Sequence, residues 1–96
     1  MNSNLIEEII SKTKKDKIIW TPIGNDSRTT FVSINRISDK KFIRLKMTMF
    51  FHKGFYERVL MIEYYNGKNY KIIENLFARK YTTIYDLLKT VKYILS

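Results

Sequence analysis

The chain has no cysteine, a single proline, three glycines and a single histidine, and each shortage removes a class of chemistry. Without cysteine there is no disulfide, no thiol nucleophile and no thiolate metal site. Three isolated glycines leave no phosphate-cradling loop and no dinucleotide fingerprint. His52 stands alone, so it has no second histidine to share a metal and no evident serine to activate. The acids Asp16, Asp26, Asp39, Glu57, Glu63, Glu74 and Asp86 are dispersed, without the close pair that acid–base chemistry needs. No apolar run approaches the roughly 20 residues of a membrane span. The start of the chain is polar and then carries Glu7 and Glu8, which is not the pattern of a signal peptide. These absences predict a cytoplasmic protein that is not an enzyme, holds no metal or cofactor and does not enter a membrane.

What is abundant is positive charge. Eighteen Lys and Arg stand against nine Asp and Glu, a net charge of +9, which attracts nucleic-acid phosphates, anionic membrane surfaces or acidic protein surfaces. The surplus is mostly lysine: 13 of the 18 basic residues, with only five arginines to form bidentate forks. Ile, Lys, Asn and Tyr supply 41 of the 96 residues, so AT-rich codon usage accounts for part of that lysine excess.

Ninety-six residues make one domain, 1–96. Residues 4–16 have the stripe of an amphipathic helix (Leu5, Ile6, Ile9, Ile10, Thr13), with Asn4 as a capping residue and lysines at its end. Residues 18–23, IIWTPI, read as a strand that Pro22 confines to an edge. A turn at 24–27 leads to a strand over 28–37, and 38–40 turns into the long run 40–52, KKFIRLKMTMFFH, which alternates with period two. Lys53-Gly54 turns into a strand over 55–65. Asn66-Gly67 is the strongest hairpin signal and introduces a shorter strand over 69–74. A loop over 75–82 precedes a last helix, 83–95, capped by Thr83. The order is α-β-β-β-β-(β)-α. It predicts an α+β fold: an antiparallel meander of four to five strands with both helices packed on one face.

Turn lengths fix an expected register. A two-residue turn at Lys53-Gly54 sets Met47 against Leu60, Leu45 against Ile62, Ile43 against Tyr64 and Arg44 against Glu63. A two-residue turn at Asp39-Lys40 sets Ile34 against Leu45 and Val32 against Met47, and the turn at 24–27 adds Ile19 against Val32. The expected core face is therefore Ile19, Val32, Ile34, Ile43, Leu45, Met47, Leu60 and Ile62. The opposite face would carry Trp20, Phe31, Ser33, Asn35, Phe42, Arg44, Lys46, Phe50, Val59, Met61 and Glu63. Of these, Trp20, Phe31, Phe42, Arg44, Lys46 and Phe50 are the candidate binding residues. Rings interleaved with cations suit either a protein interface or stacked bases with their phosphates. The loop residues Arg79, Lys80 and Tyr81 form a second basic-aromatic cluster. The expected partner is a host or phage protein, with DNA or RNA as the alternative, and a homodimer through the same face is a third arrangement.

Two stretches carry a loose resemblance: Leu5…Lys12-Thr13-Lys14…Ile18-Ile19-Trp20 at the start and Ile84-Tyr85-Asp86-Leu87-Leu88 at the end. Together they resemble short accessory proteins of phages and mobile elements from low-GC bacteria, in which Asp16 has a glycine as its counterpart. The resemblance implies an accessory role, such as inhibition of a host defence or regulatory protein, and brings no catalytic residues.

Overall fold

A computed structural model describes residues 2–23, 30–38 and 40–96. In chain order they form α1 (Asn2–Lys14), β1 (Thr21–Pro22), β2 (Phe31–Ser38), β3 (Lys41–His52), β4 (Phe55–Tyr65), β5 (Tyr70–Phe77) and α2 (Thr83–Leu95). The strands make one antiparallel sheet in the order β1-β2-β3-β4-β5, and this is the α+β meander that the sequence predicts. The turn expected at 24–27 and residue Asp39 lie outside the described residues.

Both helices lie on one face of the sheet. Ile6 and Ile9 of α1 and Ile84, Leu87 and Val91 of α2 share a single core with Leu45, Met47, Leu60, Ile62 and Leu76. The start of α1 is earlier than expected, so Asn4 lies inside the helix rather than capping it. α2 is preceded by Thr82 at its N-cap, which makes no side-chain capping bond.

The end of α1 shows why the chain can turn back at once. Asp16 takes φ +57, a left-handed conformation that asparagine and aspartate tolerate better than most residues. Its N–H donates to Thr13 O and the Lys17 N–H to Lys12 O, the paired bonds of a Schellman motif. Glycine is the residue this backbone conformation favours most. The reversal feeds Ile18 and Trp20 into the core, while Ile19 between them faces solvent at 63% exposure.

The β3–β4 register is the expected one throughout, from Phe42 opposite Tyr65 to His52 opposite Phe55. Its origin is the turn Lys53-Gly54, where both residues have positive φ, +49 and +86, as a type I′ hairpin requires. Lysine is a poor fit there. Lys53→Asn is expected to raise stability by about 0.5–1 kcal/mol, measured as a higher urea midpoint with unchanged slope.

The β2–β3 register differs. Ser38 faces Lys41, as a two-residue connection demands, but Arg36 then faces Phe42, so a bulge at Ile37 shifts β2 by one residue. A one-residue shift exchanges the faces of a strand. Phe31, Ser33 and Asn35 therefore lie on the core side, opposite Met47, Leu45 and Ile43, while Val32, Ile34 and Arg36 lie on the outer side. β1 shrinks to two residues, with Thr21 rather than Ile19 opposite Val32. At the other edge β5 extends to Phe77 and buries Leu76, which shortens the expected 75–82 loop to 78–82.

Candidate functional site: the outer face of the sheet

With both helices on the inner side, the outer side presents rows of side chains that run across the strands. One row is Arg36, Phe42, Tyr65 and Tyr70. Its members touch in sequence: the Arg36 guanidinium lies 5.8 Å from the Phe42 ring, Phe42 and Tyr65 are 5.9 Å apart, and Tyr65 and Tyr70 4.8 Å. The rings tilt against one another by 48° in both aromatic pairs, which is side-by-side packing rather than parallel stacking.

The adjoining row is Ile34, Arg44, Glu63 and Ile72. Arg44 grips Glu63 with a fork, Nη2 to Oε2 at 2.7 Å and Nε to Oε1 at 3.2 Å. Its guanidinium also lies 3.8 Å from the centre of the Tyr70 ring, a close cation–π contact. The hydrogen bond to Glu63 raises the Arg44 pKa beyond its ordinary value, outweighing the desolvation that lowers it; the charges of Glu63 and Tyr70 add to the rise. The centre of the face is thus a locked, internally neutralised pair flanked by two exposed isoleucines.

A third row holds Val32, Lys46, Met61 and Asn75, and a fourth holds Thr48, Val59 and Phe77. Thr48 shares a 2.8 Å hydroxyl–hydroxyl hydrogen bond with Thr30, which ties the entry of β2 to the sheet. Lys46 forms no ion pair with a described residue. Beyond these rows, half-exposed Phe50 packs edge-on against Phe77 at 6.1 Å and lies opposite Glu57. The Glu57 carboxylate is buried and accepts no hydrogen bond from a described residue. Arg79 Nε approaches it at 3.3 Å as an ion contact without hydrogen-bond geometry.

Four of the six sheet residues expected at the site, Phe42, Arg44, Lys46 and Phe50, are on this face. Trp20 and Phe31 are not, and this is a correction. Both are core residues, 4% and 3% exposed, because the bulge at Ile37 turns Phe31 inward and the reversal after α1 directs Trp20 under the helix. The Trp20 indole N–H donates to Thr13 Oγ1 at 3.0 Å, and that hydroxyl donates to Ile9 O at 2.7 Å, so the ring is held wholly by internal partners. Of the core residues expected on the other side, Ile19 and Ile34 are solvent-exposed, and Val32 is buried on the outer face.

The loop cluster divides. Arg79 joins the outer face through Glu57 and lies 5.5 Å from the Phe77 ring. Tyr81 packs against the core, with the Lys80 ammonium 5.7 Å from its ring. Sequence reasoning missed Tyr65, Tyr70, Ile72 and Phe77. Tyr65 was accessible from the Lys53-Gly54 turn, which also sets Phe42 opposite it. The others required the β4–β5 turn, which centres on Gly67-Lys68 while the Asn66 side chain accepts from the Lys68 and Asn69 N–H groups.

Among the described residues no cluster of three or more His, Cys, Asp or Glu is arranged to hold a metal, and no helix is long and apolar enough to cross a membrane. Comparison with protein-family models, curated proteins and solved structures gives no match for this chain.

Proposed function

We propose that this is a non-catalytic binding protein that occupies a surface of another macromolecule with the outer face of its sheet. The observation that carries the reading is the combination of Ile34, Phe50, Tyr70 and Ile72, all exposed, around the closed Arg44–Glu63 pair. Apolar and aromatic side chains around a satisfied charge are the composition of a protein contact surface. The resemblance of the chain ends supports the narrower role of a phage or mobile-element accessory factor, with a host defence or regulatory protein as its target and the host cytoplasm as its place of action.

Nucleic acid is the second reading, favoured by the row Phe42–Tyr65–Tyr70 beside Arg36 and Lys46 and by the net charge of +9. The protein reading ranks first because Arg44 already spends its fork on Glu63 and the rings lie side by side rather than splayed to accept bases.

Affinity capture from a low-GC bacterial lysate, with and without nuclease, separates the two. The expected result is one stoichiometric protein retained after nuclease and lost with Ile34→Asp or Phe50→Asp. Both substitutions fall on exposed positions and should leave the circular dichroism spectrum unchanged. Recovery that vanishes with nuclease, or that collapses between about 50 and 200 mM salt, would sink the protein reading.

A further inference from the structure

We propose that the tip of the β3–β4 hairpin is an anchor that seats the protein on an anionic lipid surface. Three large rings flank the turn Lys53-Gly54, and all three are exposed: Phe51, Phe55 and Tyr56. A single exposed ring on a surface is ordinary. Three at the end of two paired strands make a contiguous apolar patch, which marks a contact site.

The placement of the rings points to lipid. Phe51 and Tyr56 lie opposite one another with ring centres 5.0 Å apart, on the side of the sheet where Met47 and Leu60 meet the helices. The helices leave them open nonetheless, at 60% and 67% exposure. Alternation puts Phe55 on the other side, with Phe50. A flat protein surface can cover only one side of such a ribbon and leaves the rings of the other in water. A lipid interface surrounds the ribbon and takes the rings of both sides, at the level where amphipathic aromatic rings are favoured. Such attachment needs no spanning segment, so it is compatible with the lack of a described helix able to cross a bilayer.

Charge selects an anionic surface. From Lys40 to Tyr56 the chain has no acidic residue, and the next residue, Glu57, is buried beside Arg79. Lys53 sits in the turn itself at φ +49, a left-handed conformation that lysine adopts at a cost and asparagine fits better. A residue that breaks a local rule without a structural return points to a functional constraint. Here the return is a cation held among the rings. Its long apolar stem lets the ammonium reach lipid phosphates while the rings settle between the headgroups. The net charge of +9 draws the whole body toward the same surface. The attachment does not depend on what the outer face of the sheet binds.

Flotation of the full chain with vesicles tests this at about 150 mM salt, where long-range attraction is largely screened. Binding is expected to vesicles of phosphatidylcholine with phosphatidylglycerol, and much weaker binding to phosphatidylcholine alone. Phe51→Ser/Tyr56→Ser should weaken it by about tenfold or more, since both rings then stay out of the interface. Lys53→Asn should weaken it by about fivefold, the share of one cation at an anionic surface. Because that variant is expected to be the more stable one, its loss cannot be ascribed to unfolding. A wild-type chain that ignores the anionic vesicles overturns the proposal. So does undiminished binding by Phe51→Ser/Tyr56→Ser, which would mean adsorption by net charge alone. Ile34→Asp should bind vesicles like the parent; its failure to do so would move the lipid contact to the outer face and overturn the assignment to the tip. If vesicles are never bound while Phe51→Ser/Tyr56→Ser loses a protein partner that the parent captures, the tip is a protein contact and the proposal falls.

Discussion

Trp20→Ala is expected to lower stability by about 3–5 kcal/mol, the range for removing a large aromatic side chain from a core. The ring is 4% exposed, packed among the core residues, and its N–H is satisfied by Thr13 Oγ1 at 3.0 Å. A domain of this size has only about 5–15 kcal/mol in hand, and each kcal/mol shifts Tm by about 4–8 °C. The variant should therefore melt at least about 12 °C lower, or fail to fold. Thr13→Val isolates the polar part: it leaves the buried indole N–H without an acceptor, for about 1–3 kcal/mol. Ile34→Ala, on the outer face at 58% exposure, should stay within about 0.5 kcal/mol of the parent. Thermal melts of these variants thus report the register of the first half of the sheet. A small loss for Trp20→Ala beside a large one for Ile34→Ala would mean that β2 pairs one residue away from the arrangement described.

That comparison also shows where the sequence is legible. The 22 residues of β3 and β4 from Phe42 to Tyr65, the turn Lys53-Gly54 apart, pair as their alternation predicts because a two-residue turn leaves only one register that buries Leu45, Met47, Leu60 and Ile62 together. β2 offered no such constraint. Its odd residues Phe31, Ser33 and Asn35 and its even residues Val32, Ile34 and Arg36 are each part apolar and part polar, so either set can face the core. The bulge that decides between them sits at Ile37, which carries none of the glycine signals that mark some bulges. The same ambiguity moved Trp20, because a tryptophan that follows two consecutive isoleucines reads equally well inward or outward. What decides it is a contact seven residues back, to Thr13. Half of the candidate face was therefore readable, the half supplied by β3. The Tyr70–Ile72 side depended on β5, where Glu74 and Asn75 interrupt the apolar alternation and conceal the length of the strand.

Arg44→Ala is the second substitution with a large expected effect, about 2–4 kcal/mol of stability. It removes both donors from the Glu63 carboxylate, whose side chain is 7% exposed against 26% for Arg44, so the loss is dominated by a buried charge left without its partner. Arg44→Lys keeps the charge but not the two-pronged geometry nor the flat contact on Tyr70, and should lose roughly half as much. The sign of the pH dependence follows from Arg44 itself. Its pKa is raised in the folded protein, chiefly by the hydrogen bond to Glu63, so its stabilisation is complete below the ordinary arginine pKa and fades only as pH climbs past the raised one, in strong alkali. Urea melts from neutral to moderately alkaline pH should therefore show the same Arg44→Ala deficit. Arg44→Met/Glu63→Met should recover most of the loss, because exchanging a buried ion pair for packed apolar side chains is often neutral or better. A stable double variant that no longer captures the wild-type partner would give the pair its reason for existing. Between Ile34 and Ile72 it would orient whatever docks on the face, and the fold itself would not need it. A deficit below about 1 kcal/mol for Arg44→Ala would instead rank the pair with ordinary surface salt bridges.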